Sequence, residues 1–440
     1  MNRYFTFLSA IALFLTFTSW AQNPIVPAGM YIADPEAHVW QDGKIYVYGS
    51  RDESDDFWCS YKHHVLFSDN LQDWNVIENS FASKGEFDQV DYHDQLLFAP
   101  DCAYKNGTYY LYYCSPKTLC EGVARSKSPL GPFSAGKEII GANQIDPAVL
   151  VDDDGQAYYY WGQGKPKVAK LKANMTEIDS STITLPLDEA GNKAFHEGSS
   201  IRKIGDWYYF VCADDSRENR PTCLGYATSK NPMGPFEYKG VIIDNIGCDP
   251  AVWNNHGSIE KFKDQWYVFY HRSTHNSQKF RKACIEPIKI NKDGTIDEVE
   301  MTTQGAGKAL AAGDLMQAER ACLLSGKVFI DESKSNDIPN EELTNIAEGD
   351  YAVYKYLNFE KQLKNFRIKT NVSNNGLVEL RLDEPDGTLI GSCNLSKTMN
   401  KTAFQISNCE IESVKGKHAL YLVFKGENNS FFTIDWFQFY

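Results

Sequence analysis

DGKIYVYGS (residues 42–50) is the first copy of a phrase that the chain repeats four more times, a polar turn followed by a short aromatic strand. The other copies read NGTYYLYYCS (106–115), DGQAYYYWG (154–162), GDWYYFVCA (205–213) and KDQWYVFYH (263–271). Repeats of about 50 residues built from short strands are the sequence signature of a β-propeller. The phrase therefore predicts an all-β domain, a five-bladed β-propeller.

An acidic residue precedes each copy in a short apolar setting. These residues are Asp34 in ADPEA, Asp101 in APDCA, Asp146 in IDPAV, Glu197 in HEGSS and Asp249 in CDPAV. Because the first strand of every propeller blade lines the central axis, acids at this position converge on one pocket. Converging carboxylates are what hydrolysis of a glycosidic bond requires.

Length and charge narrow the classes of function. A chain of 440 residues is too long for one ordinary domain, so we expect two. The net charge is −14 and no Lys/Arg cluster is present, which excludes a nucleic-acid partner. An acidic surface also disfavours anionic polymers, so a neutral partner is favoured.

The N-terminus has the pattern of a secretory signal. One Arg precedes an apolar run from about Tyr4 to Phe17, followed by Ser19, Trp20 and Ala21. This predicts a signal peptide over residues 1–21, cleaved near Ala21, and an exported protein, periplasmic or extracellular. No later segment is long and apolar enough for a membrane span. The eleven cysteines suggest disulfides, but the sequence leaves their pairing and the oligomeric state open.

Composition divides the rest of the chain. The propeller is predicted over residues 22–302, and TQGAGKALAAG (303–313) is rich in Gly and Ala, which predicts a linker over residues 303–315. Residues 316–440 contain alternating short strands separated by turns such as EPDG. They predict a second domain, a β-sandwich of jelly-roll-like form.

Three longer runs carry a family resemblance. They read GMYIADPEAHVWQDGKIYVYGSRDE (29–53), NQIDPAVLVDDDGQAYYYWG (143–162) and FHEGSSIRKIGDWYYF (195–210). They resemble the three acid motifs of glycoside hydrolase family 43, and the likeness extends over about residues 25–300. The resemblance implies a five-bladed propeller and hydrolysis with inversion.

The resemblance implies a role for three of the five acids. Asp34 matches the general base that deprotonates the attacking water, and Glu197 matches the general acid that protonates the departing oxygen. Asp146 matches the third carboxylate, which orients the acid and raises its pKa, because a nearby negative charge disfavours ionisation. Asp101 and Asp249 match no catalytic position, and we expect them to be structural.

Further candidates surround these acids. The resemblance places Phe98 and Arg281 at the sugar, with a blade-closing ion pair as the alternative for Arg281. It also places His256 near a central calcium ion, against the alternative of a structural hydrogen bond. Trp58 and His271 are substrate-binding candidates at the pocket rim, with core packing as their alternative.

The second domain resembles carbohydrate-binding module family 6. The likeness rests on MQAER (316–320), GDYAVYKYLNF (349–359), LVELRLDEPDGTLIGS (377–392), KGKHALYLVF (415–424) and TIDWFQF (433–439). It implies a structural calcium ion held by Glu319 and Asp435, whose hard oxygen ligands suit that ion. The hydrolytic chemistry itself needs no cofactor. Whether this domain binds sugar stays open.

Together these features predict an exported inverting glycosidase acting on a neutral plant-type oligo- or polysaccharide. The pairing of a family 43 domain with a binding module favours α-L-arabinofuranosidase activity on arabinoxylan or arabinan. β-Xylosidase and endo-arabinanase activities remain alternatives, because the acid motifs do not separate them. A non-catalytic sugar-binding propeller is the alternative of another class, and exo or endo action is undetermined.

Overall fold

The computed structural model describes residues 22–217, 220–333, 339–397, 403–426 and 432–440. The predicted signal peptide lies outside these residues. Within them helix is limited to α1 (Glu189–Ala194) and two 3-10 turns (Ser180–Thr182 and Ala318–Arg320), and the remaining regular elements are strands. The predicted all-β class is therefore confirmed. None of the described helices has the length and apolar composition needed to cross a bilayer.

Five antiparallel sheets follow one another along the described part of the N-terminal domain. The first two sheets contain β1 (Ile32–Val39), β2 (Ile45–Arg51), β3 (Lys62–Ser68) and β4 (Asn75–Ala82), then β5 (Phe98–Lys105), β6 (Thr108–Ser115), β7 (Cys120–Ser126) and β8 (Ser134–Glu138). The third contains β9 (Ala148–Val151), β10 (Ala157–Trp161) and β11 (Lys167–Leu171). The last two contain β12 (Phe195–Ile204), β13 (Trp207–Asp214), β14 (Cys223–Ser229) and β15 (Glu237–Asp244), then β16 (Ser258–Phe262), β17 (Gln265–Ser273) and β18 (Arg281–Ile288).

The repeated aromatic phrase forms the second strand of every sheet, namely β2, β6, β10, β13 and β17. These strands need large rings because both of their faces are buried between neighbouring sheets. Tyr112 of the second sheet contacts Tyr159 of the third, with ring centroids 5.6 Å apart. Tyr160 of the third contacts Phe210 of the fourth at 6.0 Å. The phrase thus builds the layers of core that hold consecutive sheets together.

The C-terminal domain is a β-sandwich of twelve described strands. They are β19 (Leu310–Ala311), β20 (Met316–Gln317), β21 (Leu323–Leu324), β22 (Phe329–Glu332), β23 (Glu341–Thr344), β24 (Tyr351–Phe359), β25 (Asn365–Val372), β26 (Gly376–Leu382), β27 (Thr388–Leu395), β28 (Gln405–Glu410), β29 (Gly416–Gly426) and β30 (Phe432–Phe439). One sheet has the order β19-β24-β29-β26-β27, with β21 beside β24, and the other has the order β22-β23-β30-β25-β28, with β20 beside β30.

The predicted linker contributes to this sandwich. Strand β19 lies inside residues 303–315 and pairs in parallel with β24. Leu310 and Ala312 are buried in the sandwich core. This Gly- and Ala-rich segment, which the sequence analysis predicts as a linker, therefore packs in part into the second domain.

The two domains are joined by buried polar contacts. His275 N, in the loop between β17 and β18, donates to Ile330 O at 2.7 Å. Lys282 of β18 and Glu341 of β23 form an ion pair at 2.5 Å, with side-chain exposures of 3% and 1%. Such a pair is strongly coupled, because removal of one partner leaves the other charge buried and uncompensated.

We expect Lys282→Met to lower the free energy of unfolding by about 3–5 kcal/mol, since Glu341 is left without its cation. Urea unfolding followed by tryptophan fluorescence measures this change. The control is Lys193→Met, which removes the exposed Lys193–Glu189 pair, for which less than about 1 kcal/mol is expected. Equal small effects for both variants would contradict a structural role of the buried pair.

Candidate active site

One cavity of ≈ 450 Å³ receives side chains from every sheet of the N-terminal domain or from the loops beside it. Its lining includes seven of the predicted residues, namely Asp34, Trp58, Phe98, Asp146, Glu197, His256 and Arg281. It also includes residues that the sequence analysis did not single out, among them Gln163, Trp253, Asn254 and Gln278. The three acids assigned catalytic roles thus meet in one place, as their common position in the repeat predicts.

Backbone irregularities direct these acids into the cavity. The register of β1 shifts between Ala33 and Glu36, and that of β12 shifts on both sides of Glu197. Asp34 and Asp146, each followed by a proline, have φ values of 53° and 62°. A β-bulge re-aims a side chain, and a left-handed non-glycine residue stores strain of about 1–3 kcal/mol that the surrounding contacts must offset.

Asp34 is buried against a guanidinium. Arg281 Nη1 donates to Asp34 Oδ1 at 2.8 Å, and Ser50 Oγ donates to Oδ2 at 2.7 Å. The same arginine binds Asp52 through Nε at 2.9 Å and Nη2 at 3.0 Å. Arg281 therefore closes an ion pair with Asp34 of β1, as the alternative offered for it has it, and it also lines the cavity; its contact with a sugar stays a prediction.

The pKa of Asp34 follows from these contacts. Burial alone raises it, but Arg281, with smaller contributions from His256, His271 and Ser50, outweighs burial and lowers the pKa to about 2. Burial lowers the pKa of His256, and that of His271 to about 3, so both rings are neutral near pH 7. Asp34 is consequently ionised near pH 7, as a general base requires.

Asp146 has the opposite electrostatic setting. Burial, together with the negative charges of Glu197, Asp34 and Glu121, raises its pKa well above the ordinary value. Gly198 N donates to Asp146 Oδ2 at 3.1 Å, which ties it to the strand that carries Glu197. Asp146 therefore keeps its proton to higher pH than an ordinary carboxylate does, and the charge of Glu197 is one cause of this.

Two amides hold Glu197 in place. Gln163 Nε2 donates to Glu197 Oε2 at 2.7 Å, and Asn254 Nδ2 lies 3.3 Å from Oε1. Asn254 Oδ1 is buried with no hydrogen-bond partner among the described residues. Both amides lie in loops outside the repeated phrase. Only the three-dimensional structure, which places them beside Glu197, identifies these two residues, because the sequence around them carries no motif.

His271 requires a correction. The sequence offers it as a substrate-binding residue at the pocket rim, with core packing as the alternative; its side chain is 0% exposed and does not line the cavity, which agrees with the alternative. Asp34 N donates to His271 Nδ1 at 3.3 Å, and Nε2 lies 3.2 Å from Asn254 O. The buried His271 ring therefore holds the backbone of Asp34 through a hydrogen bond and does not reach the cavity that would hold a sugar.

His256 lies at the cavity wall. Its Nδ1 is 3.5 Å from Asp34 Oδ1. A Cβ at position 198 would meet the His256 ring at 3.0 Å, which explains why the residue after Glu197 is Gly198, with a φ of +73°. Its predicted role beside a central calcium ion stays a prediction.

Aromatic residues form one side of the cavity mouth. The guanidinium of Arg281 lies 4.8 Å from the centroid of the Trp58 ring. Trp58 in turn meets Trp253 edge to face, with centroids 6.4 Å apart. Phe98 lines the cavity as predicted, so the wall offers flat apolar surface beside the carboxylates.

The sequence analysis predicts metal ligands at His256, Glu319 and Asp435, whereas the structure brings possible ligands together at another place. Among the described residues, Glu36, His38 and Asp101 form the one group of ligand atoms close enough to share an ion. Glu319 and Asp435 do not join such a group. Glu319 Oε2 is buried without a hydrogen-bond partner and fits a cation, whereas Asp435 already binds Lys369 at 2.5 Å. Calcium between these two residues remains a prediction.

The two acids expected to be structural lie outside the cavity lining. Asp101 accepts from Val149 N and Cys102 N, both at 2.6 Å, and contacts His38 Nε2 at 2.7 Å. Asp249 accepts from Ala251 N at 2.8 Å and Asn276 N at 3.0 Å. Each ties neighbouring segments of chain together.

Comparisons with known proteins agree with this geometry. The family model for glycosyl hydrolases family 43 matches residues 21–296, and that for carbohydrate binding module (family 6) matches residues 317–440. A xylosidase/arabinosidase of Thermoclostridium stercorarium is 29% identical, over 93% of this chain and 97% of that protein. An arabinoxylan arabinofuranohydrolase of Paenibacillus polymyxa is 28% identical, over 92% of this chain and 72% of that protein.

A solved structure shares the fold. The family 43 arabinoxylan arabinofuranohydrolase from Bacillus subtilis, crystallised with cellotetraose, superposes with a TM-score of 0.56 at 24% identity. The match covers 96% of this chain and 99% of that one, so both domains are included.

The low pKa of Asp34 has a consequence for stability. A folded-state pKa of about 2, against 3.8 for the ordinary residue, makes ionised Asp34 stabilising above about pH 4. This contribution is about 2 kcal/mol, and it is lost as the pH falls from about 4 to 2. We therefore expect Asp34→Asn to be less stable than wild type by an amount that shrinks over that range.

Urea unfolding at a series of pH values measures this gap. The matched control is Asp264→Asn, at an exposed turn, for which the gap should stay near zero throughout. A gap for Asp34→Asn that remains constant from pH 7 to the acid limit of folding would contradict the electrostatic assignment.

Proposed function

The chain belongs to glycosyl hydrolases family 43, and from this premise we propose that it is an α-L-arabinofuranosidase that removes arabinose side chains from arabinoxylan or arabinan. The observation that carries the proposal is one cavity lined by an ionised Asp34, by Glu197 and by Asp146, whose pKa is raised well above its ordinary value. β-Xylosidase activity is the second candidate, because the Thermoclostridium stercorarium relative is named for both activities.

Asp34 and Glu197 each carry out one proton transfer in the proposed mechanism. Asp34, kept ionised by Arg281, removes a proton from water as the water attacks the anomeric carbon. Glu197 gives a proton to the departing glycosidic oxygen as that bond breaks. Displacement by water in one step inverts the anomeric configuration, and no cofactor takes part.

Asp146 is the positioning residue for the acid. Its carboxyl group lies beside Glu197 and accepts from Gly198 N, so it constrains the backbone on which Glu197 stands. Because the negative charge of Glu197 disfavours ionisation of Asp146, burial and this charge together raise the pKa of Asp146. The proton that Glu197 gives to the departing oxygen is replaced from solvent.

The substrate assignment rests on the relatives and on charge. The Paenibacillus polymyxa relative, named an arabinoxylan arabinofuranohydrolase, aligns across both domains. A net charge of −14 suits a neutral polysaccharide. Trp58, Trp253 and Phe98 offer apolar rings to sugar faces. We propose export as well, since such polymers are extracellular.

We also propose that the five sheets close into a propeller around the cavity. A hydrogen bond joins each sheet, or the chain beside it, to the next. From the first sheet to the fifth these bonds are Ala99 N to Ser50 Oγ, Val149 N to Asp101, Gly198 N to Asp146 and Arg202 Nε to Glu260. A further bond, from Ala37 N to Ser258 Oγ, joins the fifth sheet back to the first. Ile25 N further donates to Ala283 O, at 2.9 Å, on the last strand of the fifth sheet.

The role of Glu197 is tested with two leaving groups. We expect Glu197→Gln to lower kcat on arabinoxylan about 100-fold or more. The loss on an aryl arabinofuranoside should be much smaller, because an activated phenol departs without protonation. Asp34→Asn should lower kcat strongly on both substrates, since the base is needed whatever the leaving group.

Arabinose release, followed by chromatography, measures both rates, and an aryl xyloside run in parallel separates the two candidate activities. Asp249→Asn, from the same repeat position but outside the cavity, is the control and should retain activity. If wild type releases no sugar from any of these substrates, the binding-only alternative replaces the enzymatic one. Equal losses on both leaving groups in Glu197→Gln would remove the general-acid role.

The raised pKa of Asp146 predicts the basic limb of the pH profile. Wild-type activity should fall when Asp146 loses its proton. In Asp146→Asn the carboxyl group with the raised pKa is absent, so the limb should move to lower pH by about one unit or more. Measurement of kcat/KM between pH 4 and 9 tests this, and a limb that stays in place would remove Asp146 from its role.

A further inference from the structure

Two cysteines face each other at the edge of the sandwich where its two sheets meet. Cys393 lies on β27 and Cys409 on β28, and each of these strands ends the order of its own sheet. Neither is bonded to another cysteine, since all eleven cysteines are thiols in this structure. The two edge strands are nevertheless joined to one another.

The register of that junction brings the cysteines together. Gly391 and Ile411 form an antiparallel bridge, and Glu412 N donates to Ile390 O at 2.7 Å. Two residues further along both strands are Cys393 and Cys409. Because side-chain direction alternates with period two, they face each other as the bridged residues do.

The bridge itself shows how close such side chains lie. A Cβ at position 391 would meet Ile411 Cγ2 at 2.9 Å. The hydrogen bond to Ile390 makes this a non-hydrogen-bonded position, the kind in which opposite residues approach most closely. Cys393 and Cys409 form the next non-hydrogen-bonded pair along the two strands, so their side chains approach as closely as a disulfide requires.

Burial differs between the two thiols. Cys393 is fully buried in the sandwich core, and Cys409 packs against that core while partly exposed. The thiol of Cys393 hydrogen-bonds that of Cys409 and lowers the pKa of Cys409. Cys409 is thus the accessible, more acidic thiol, and Cys393 is its protected neighbour.

Two cysteine pairs that are close in the sequence lack this arrangement. In the hairpin of β6 and β7, Cys114 lies opposite Glu121 rather than Cys120. In the hairpin of β13 and β14, Cys212 lies opposite Gly225 rather than Cys223. Closeness in sequence therefore does not make these pairs candidates.

We propose that Cys393 and Cys409 form a disulfide that joins the two sheets of the sandwich. The thiolate of Cys409 attacks one sulfur of a disulfide oxidant such as glutathione disulfide, forming a mixed disulfide and releasing one glutathione thiol. The sulfur of Cys393 then attacks the Cys409 sulfur and displaces the second glutathione thiol. The two protein thiols lose two electrons and two protons, and the two glutathione thiols gain them.

Peptide mapping tests the bond directly. The purified full-length chain is incubated with glutathione disulfide, alkylated and digested with trypsin without reduction. We expect LDEPDGTLIGSCNLSK (382–397) linked to TAFQISNCEIESVK (402–415), and release of both on treatment with dithiothreitol. Recovery of the two peptides alkylated and unlinked, or linked to other cysteines, would overturn the proposal.

Thermal unfolding supplies an independent readout. Oxidation should raise the Tm of the sandwich by about 4 °C or more, because the bond closes a short loop in the unfolded chain. Cys409→Ala should lose this rise, whereas the control Cys248→Ala, in the N-terminal domain, should keep it. If Cys409→Ala does not fold, the peptide map of the wild type alone decides.

Discussion

A single buried guanidinium links the architecture of this protein to its chemistry. Arg281 begins the last strand of the fifth sheet, yet its partner Asp34 lies on β1 of the first sheet and its partner Asp52 directly follows β2 of that sheet. Because neither carboxylate is tolerated as an uncompensated buried charge, the first and fifth sheets must meet for any of the three groups to be stable. The arrangement that joins the ends of the domain therefore also keeps the base ionised and positions the Trp58 ring at the cavity.

The strands of the N-terminal domain and the position of its acids could be predicted from the sequence, because each repeat forms the same local structure. The tyrosine phrase is a strand buried on both faces, and a strand of that kind needs aromatic and β-branched residues wherever it occurs. The five acids share one position before that strand, so repetition alone predicts that they converge, but only Asp34, Asp146 and Glu197 line the cavity. The likeness to known family members then separated Asp34, Asp146 and Glu197 from the two acids that only hold the scaffold.

What could not be predicted depends on contacts between distant segments. Gln163 and Asn254 reach Glu197 from loops with no repeated pattern, so their partner is visible only in three dimensions. His271 stands at the end of an aromatic strand, where alternation does not say whether a ring faces the cavity or the layer behind it. The chain around Leu310 reads as a linker by composition, but pairing with β24 is set by the second domain.

The contact between His275 and Ile330 has a consequence for how this enzyme is divided into parts. The loop that carries Gln278 to the cavity is fastened at its base to β22 of the sandwich, so the second domain is structural support for the pocket wall. Shuffling experiments that graft a different C-terminal domain onto this N-terminal domain would also remove the contact that supports this loop of the cavity. For engineering, the two domains are therefore one unit rather than two exchangeable modules.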